Sequence, residues 1–204
     1  MAYGAGPLVW RKPMRNIELT DWTVAGFWPW TPLFGKSMET GFAMSGVTPS
    51  IPAKVPGSVY DDLLRAGLIK DPDVELNSLD CEWVANRWWV YECRFPTPAP
   101  SADKRSILVF DGIDYEAVVF FNGQQVAEHK GMYTQCRVDI TDRLKAEGDN
   151  LLLVVIKSAP DEMGQIGYTS RTHTQKARFN YKWDFSTRLV NLGLYGEVRI
   201  EQKG

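Results

Sequence analysis

The chain has 204 residues, and its 23 basic and 25 acidic side chains give a formal net charge of −2. A charge this close to zero creates no positive field over the whole molecule, so the composition argues against nucleic acid and anionic membranes as partners. No window approaches about eighteen uncharged apolar residues, and the N-terminus lacks a basic stretch that leads into a long apolar one. We therefore expect a cytoplasmic chain without an export signal of its own.

The three cysteines have no spacing that is typical of a metal site or a disulfide framework. Cys81, Cys93 and Cys136 lie 12 and 43 positions apart, which fits neither a C-x-x-C pair nor an even set of disulfide partners. We expect reduced, structural thiols, which favours a cytoplasmic setting. His129 and His173 are isolated from each other and from any group of cysteines, and we expect structural or surface roles for both rather than metal binding.

The N-terminal quarter of the sequence contains aromatic anchors but little periodicity, and it is rich in Gly, Pro, Ser and Thr. Within it, residues 22–27 form a candidate first strand, whereas residues 46–52 are typical of an irregular loop. We therefore divide the chain into an irregular N-terminal segment, residues 1–50, that packs on a sandwich, and a jelly-roll domain over residues 51–204.

A single helix is predicted after Ser58. Ser58 and Asp61, three positions later, resemble a capping box, and Gly67 is placed to end a two-turn helix in the left-handed conformation. The sequence thus predicts one short helix near residues 58–66.

Short strands separated by turn signals follow. In the strand that begins at residue 88, the side chains of Trp89, Tyr91, Cys93 and Phe95 share one face, which we expect to point into the core. Further strands are predicted at 106–110, 116–121, 124–130, 134–139, 151–157 and 197–202. Turn signals about every ten residues predict an all-β fold, an antiparallel jelly-roll sandwich, rather than a parallel α/β sheet.

Three of these strands are apolar on both faces, at residues 107–110, 117–121 and 151–156. An antiparallel sheet with one face in water would carry polar residues at every second position, so a further layer must cover the outer face. One explanation is that the N-terminal segment and the helix near residues 58–66 lie over it. The other is that further domains of a longer protein pack there.

Four blocks of sequence, in order, resemble glycoside hydrolase family 2. They are residues 55–64, 82–92, 110–142 and 179–189, and the third contains Asn122-Gly123, the dipeptide best suited to a two-residue hairpin turn. Within that family the first and last blocks are most similar to β-mannosidases. The resemblance implies a galactose-binding-like jelly roll that precedes immunoglobulin-like and barrel domains of the same polypeptide.

The last block carries the residues that the resemblance implies for substrate binding. In β-mannosidases this block usually reads F-G-W-D-W-G-P-R, and its Trp-Asp pair reaches the pocket for the terminal mannose. The matching residues here are Trp183 and Asp184, and Arg188 matches the arginine that ends the motif. A carboxylate can accept hydrogen bonds from two vicinal sugar hydroxyls, while an indole covers the apolar face of the ring.

This block also departs from the family pattern. Lys182 replaces Gly, Phe185 replaces Trp and Ser186-Thr187 replace Gly-Pro, so the loop could follow a different path or bind a sugar other than mannose. A purely structural explanation stays open, in which Trp183 lies in the core and Asp184 pairs with a nearby arginine, either Arg188 or Arg178.

Catalytic residues are not expected in this chain. Retaining glycosidases use two carboxyl groups roughly 5–5.5 Å apart, which in this family belong to the barrel. Acidic residues of the chain sit mostly at turns and strand ends, where hydrogen bonds to the backbone explain them: Asp111, Asp114, Glu116, Asp139 and Asp142. We expect no cofactor and no metal site, since no compact run of carboxylates marks a calcium loop.

The sequence therefore predicts the non-catalytic N-terminal domain of a β-mannosidase-like family 2 glycoside hydrolase. This domain would support the catalytic barrel and lend a loop to the sugar pocket during hydrolysis of terminal β-glycosides. Two alternatives are a free-standing carbohydrate-binding module and a structural interaction domain without sugar binding. Trp28 and Trp30 bear on the first, because exposed aromatic rings form sugar-stacking platforms, although core or inter-domain packing would equally explain them.

Overall fold

Ten strands form two antiparallel sheets in the parts of the chain that this computed structural model describes, which are residues 14–40, 46–99, 105–161 and 173–203. In chain order they are β1 (Met14–Glu18), β2 (Trp22–Phe27), β3 (Ile51–Ala53), β4 (Trp88–Pro96), β5 (Ser106–Phe110), β6 (Glu116–Phe121), β7 (Gln124–Lys130), β8 (Cys136–Asp139), β9 (Asp149–Ile156) and β10 (Val198–Lys203). The smaller sheet has the order β1-β10-β5-β8 and the larger sheet the order β3-β2-β4-β9-β6-β7. The predicted antiparallel sandwich is confirmed.

The main core lies between the two sheets. Trp89, Tyr91, Cys93 and Phe95 of β4 are all buried there, as the alternation predicts, and Phe110 of the smaller sheet is buried in the same cluster. Each large apolar side chain that leaves water in this way contributes about 1.5–3 kcal/mol to stability. The inward face of β4 therefore joins the two layers.

The helix α1 (Ser37–Thr40), the predicted helix α2 (Val59–Arg65) and the helix α3 (Asn77–Asp80) are all short. The backbone N–H of Asp61 donates to the Ser58 hydroxyl, and Gly67 follows α2 with φ of +69°, so both predicted ends are confirmed. The expectation of one helix is incomplete, because four-residue helices are too short to show a helical period. No helix among the described residues is long and apolar enough to cross a membrane.

Strands β1 and β3 are not among the strands predicted from the sequence. β1 pairs along its whole length with β10, and β3 pairs with β2, so the loop expected over residues 46–52 is wrong at Ile51 and Pro52. Both are edge strands, whose extended form is imposed by a distant partner rather than by their own residues. β1 and β2 both lie within the segment that was expected to be irregular, and the domain division at residue 50 stays a prediction.

The outer face of the larger sheet is apolar, as the doubly apolar strands indicate. Trp88, Phe120 and Val155 are buried in a second cluster on this face, and Met38 of α1 is buried with them. The N-terminal segment thus covers part of the face. The expectation that α2 also covers it is wrong, because the buried residues of α2 belong to the main core.

Candidate functional site

Trp183 and Ser186 close a tight turn with Asp184 and Phe185 at its tip. The backbone N–H of Trp183 donates to the carbonyl oxygen of Ser186 at 3.2 Å, and the N–H of Ser186 donates to that of Trp183 at 3.1 Å. A reciprocal pair of this kind is the closing bond pattern of a hairpin. Asp184 is exposed and the side chain of Phe185 is 80% exposed, so the 182–187 loop presents both to its surroundings.

Lys182 has a backbone conformation that favours glycine. Its φ is +104° and its ψ is 137°, a combination that side chains rarely adopt and that costs about 1–3 kcal/mol. The family pattern places glycine at this position. The substitution of lysine therefore keeps a glycine-like backbone where the loop begins.

Neither structural explanation for the predicted site residues fits this geometry. Trp183 is half-buried rather than a core residue. Arg188 pairs with Glu82, with Nη1 and Oε1 3.7 Å apart, and Arg178 donates to the carbonyl oxygen of Thr174 at 2.7 Å. Across the described ranges, Asp184 takes part in no ion pair, and its carboxylate is open to a ligand.

A buried ion pair holds both ends of the segment that carries the loop. Lys176 donates from Nζ to the Asp114 carboxylate at 2.5 Å and to the carbonyl oxygen of Asn191 at 2.6 Å. The backbone of Asp114 also exchanges two hydrogen bonds with Gly193, each 2.9 Å long. Residues 176 and 191–193 are therefore fixed to the start of β6, and the intervening chain projects from that base.

Burial opposes the charges of this pair. It raises the pKa of Asp114 and lowers the pKa of Lys176, because removal from water penalises both ionised forms, while the contact between the two groups acts in the opposite direction. The side chain of Lys176 is 0% exposed and that of Asp114 is 5% exposed. Loss of either partner would leave the other charge buried without compensation.

A second anchor lies at Tyr181. Its hydroxyl donates to the carbonyl oxygen of Pro160 at 2.7 Å, and its ring packs in a small buried cluster with Ala85 and Val190. Ala159 in turn donates its N–H to the carbonyl oxygen of Ala85 at 2.9 Å. The segment thus rests on the connection after β9 and on the turn before β4.

Trp28, Trp30 and Arg87, which we call the aromatic surface, lie next to the end of β2 and the start of β4. Trp28 is 58% exposed and Trp30 is 71% exposed, so neither ring is a core residue. The Arg87 guanidinium lies 3.9 Å from the ring centroid of Trp28, and the rings of Trp30 and Trp88 are 5.1 Å apart.

Acidic residues that could suggest catalysis are engaged in the scaffold. Asp111 accepts a hydrogen bond from Gln135 at 2.7 Å, and Glu116 pairs with Lys157 at 2.6 Å. Hydrogen bonds from the hydroxyl and N–H of Thr141 lower the pKa of Asp139. Within the described ranges, no group of three or more His, Cys, Asp and Glu side chains could hold a metal ion.

The thiols and the one buried histidine have structural surroundings. Cys81, Cys93 and Cys136 are free and buried, as expected, and burial raises the pKa of Cys93 to about 12. His129 is buried, with Nε2 2.6 Å from the carbonyl oxygen of Gly131, and His173 is exposed.

The family model described as the glycosyl hydrolase 2 galactose-binding domain-like family matches residues 36–196. The chain belongs to this family. That match includes the turn at Trp183, its anchors, five of the six strands of the larger sheet, and β5 and β8 of the smaller sheet. The galactose-binding-like jelly roll expected from the sequence is confirmed.

Relatives of this galactose-binding-like domain are considerably longer. It is 35% identical over 165 residues to β-mannosidase B of Emericella nidulans, and the aligned region covers 74% of this chain and 20% of that protein. The crystal structure of a β-D-mannosidase from Dictyoglomus thermophilum matches it with a TM-score of 0.70 and 25% identity, over 92% of this chain and 22% of that one. An exo-chitosanase of Amycolatopsis orientalis shares the fold, with a TM-score of 0.64 and 20% identity, over 91% of this chain and 20% of that chain. The chain thus spans about a fifth of the length of the curated relatives that it matches.

The anchors of the galactose-binding-like domain were not found from sequence. Asp114 and Lys176 are 62 positions apart, and neither lies in a pattern that predicts an ion pair. The sequence pattern indicates for Asp114 only a position at a turn or strand end. A lysine in a segment without strand periodicity gives no signal of burial, so only the folded chain reveals this contact.

Proposed function

We propose that this domain is the non-catalytic N-terminal domain of a β-mannosidase-like family 2 glycoside hydrolase. It supports the catalytic barrel of the same polypeptide. Its 182–187 loop contributes Trp183 and Asp184 to the pocket for a terminal β-linked sugar, together with Arg188 directly after the loop. The observation that carries this proposal is the closed turn at Trp183, which presents an exposed carboxylate and an 80% exposed phenylalanine at its tip.

The chemistry of the tip suits a sugar pocket formed between two domains. An ionised carboxylate accepts two or more hydrogen bonds, and those from vicinal hydroxyls would replace the water that now solvates Asp184. Insertion of Phe185 into a partner would gain about 1.5–3 kcal/mol from burial. Phe185 replaces a tryptophan of the family pattern, and we expect this departure to change which terminal sugar is bound.

The relatives and the thiols support three further parts of the proposal: the additional domains, the class of substrate and the cellular location. Relatives named β-mannosidases are about four times the length of this chain, which leaves room for the immunoglobulin-like and barrel domains that the resemblance implies. The substrate is a carbohydrate, bound by the intact enzyme. We place the protein in the cytoplasm, in keeping with three free, buried cysteines.

Replacement of Asp184 by asparagine in the intact polypeptide tests the loop. Hydrogen bonds to a charged group contribute about 1.5–3 kcal/mol, so Asp184→Asn should lower kcat/KM for p-nitrophenyl β-D-mannoside about 10- to 150-fold. Asp142→Asn, at another exposed aspartate, serves as the control and should leave kcat/KM unchanged. Equal kcat/KM for both variants and the parent would refute the role of the loop.

The chain of residues 1–204 serves as a second control in the same assay. We expect no turnover from it, because Asp111, Glu116 and Asp139 are engaged in the scaffold. Turnover by this chain that disappears when one of its own carboxylates is replaced would show instead that the domain itself is catalytic.

A further inference from the structure

The aromatic surface and the base of the segment that carries the 182–187 loop lie at the same end of the larger sheet. β2 ends at Phe27, opposite the first residue of β4, and Arg87 directly precedes that residue. β9 ends beside the start of β4 and of β6, where Asp114 holds the base of the loop segment. From β2 to β6 is three strand spacings, or about 14 Å.

We infer that the aromatic surface docks against the domain that receives the loop. This inference rests on the proposed function, and it adds the surface and its chemistry. The partner would offer an apolar pocket for the indoles of Trp28 and Trp30 and a carboxylate for the guanidinium of Arg87.

The size of the patch fits one continuous interface. A stable interface covers roughly 800 Å² on each partner, which corresponds to a patch roughly 30 Å across. The strand ends next to the aromatic surface and next to the base of the loop segment are about 14 Å apart, which is less than the width of such a patch. A partner that encloses the tip of the loop would therefore also cover Trp28 and Trp30.

The residue types are those that dominate protein interfaces. Tryptophan and arginine contribute most to binding when they are enclosed by a partner. Both indoles are already held in place, Trp28 by Arg87 and Trp30 by the buried Trp88, so docking would cost little side-chain entropy. Arg87 has no ion pair within the described part of the chain, and its charge is available to a carboxylate of the partner.

The backbone at Trp30 also points to an external partner. Its φ is +68° and its ψ is −25°, a left-handed conformation that bulky side chains rarely adopt. Such conformations persist where the surroundings hold them and are concentrated at binding sites. Here the conformation keeps a large apolar ring 71% exposed, which gives the isolated domain no advantage from burial.

Hydroxyl-radical labelling of residues 1–204 and of the intact polypeptide tests this inference. Trp28, now 58% exposed, should be labelled about sixfold more slowly in the intact polypeptide, as expected for a ring enclosed by a partner, and Trp30 should be protected at least as strongly. Leu76, which is 72% exposed and lies outside the aromatic surface, is the control and should react equally in both.

The same experiment separates this inference from the proposed function. Protection of Phe185 without protection of Trp28 and Trp30 would overturn the docking surface and leave the loop proposal intact. Equal labelling of all three in both proteins would overturn both. Protection of Trp28 and Trp30 in residues 1–204 only after β-1,4-mannotetraose is added would identify the aromatic surface as a sugar platform and overturn the docking surface.

A paired variant gives an independent readout. Trp28→Ala/Trp30→Ala should lower the melting temperature of this domain in the intact polypeptide by at least about 4 °C more than in residues 1–204, where more than half of each ring is already exposed. Equal shifts in the two proteins would contradict docking.

Discussion

At the scale of single residues, the 182–187 loop begins at a lysine in a conformation that glycine adopts most readily. The φ of +104° at Lys182 places its Cβ where the backbone leaves little room. Beyond it, the two reciprocal hydrogen bonds between Trp183 and Ser186 determine which side chains reach the tip. The strain at Lys182 is therefore part of how the loop presents Asp184.

Replacement of Lys182 by glycine should stabilise the domain. Relief of strain contributes about 1–3 kcal/mol and the added freedom of the unfolded chain costs about 0.5–1 kcal/mol, which leaves a net gain of about 1 kcal/mol. Urea unfolding of residues 1–204 measures this change. Lys70→Gly, at an exposed lysine outside the positive-φ set, is the control and should lose about 0.5–1 kcal/mol. A loss of similar size at Lys182 would show that the strained conformation is not adopted in solution.

At the scale of elements, the loop segment depends on the sheet that carries it. Lys176 connects the start of β6 to the carbonyl oxygen of Asn191, and Tyr181 connects the segment to the chain beyond β9. These contacts attach the loop segment to the start of β6 and to the chain after β9, which are distant from it in sequence. The position of Asp184 is therefore a property of the larger sheet rather than of the loop alone.

Replacement of Lys176 by methionine tests this dependence. The change leaves the Asp114 carboxylate buried without its counter-charge and should lower the free energy of unfolding by about 3–5 kcal/mol. Asp114→Asn/Lys176→Met removes both charges and should recover part of that loss. Hydrogen exchange should show faster exchange over residues 177–190 than over β6 in Lys176→Met. Uniform acceleration over the whole domain would mean that the pair stabilises the fold without positioning the loop.

Local patterns explain why much of this fold was predictable from sequence. The alternation in β4 identified its buried face, and Asn122-Gly123 identified the β6–β7 turn, where both residues have positive φ. These signals lie within a few residues of the structure that they specify. β1 and β3 have no such signal, because their extended form depends on partners that are distant in sequence.

The candidate site was predictable only in part, for the same reason. The resemblance places Trp183 and Asp184 on one loop, and the structure shows that Asp184 is exposed and Trp183 half-buried. No sequence pattern links Asp114 to Lys176. The sequence also does not decide whether Trp28 packs in the core, packs against another domain or stacks on a sugar. Long-range contacts and exposure are set by the whole fold, so they appear only once the chain is folded.

At the scale of the whole molecule, the features that we propose to contact a partner start from one end of the larger sheet. The base of the segment that carries the 182–187 loop and the aromatic surface both lie there, while the opposing sheet closes the core. The chain spans about a fifth of its curated relatives, and this end offers the surface through which a small domain would serve a larger enzyme.

A crystal structure of the intact polypeptide with a non-hydrolysed β-mannoside bound would test this account most directly. We expect Asp184 to place a carboxylate oxygen about 2.5–3.0 Å from a hydroxyl of the terminal sugar, with Phe185 enclosed by the catalytic domain. A sugar pocket formed without the 182–187 loop, with Asp184 in open solvent, would contradict the account.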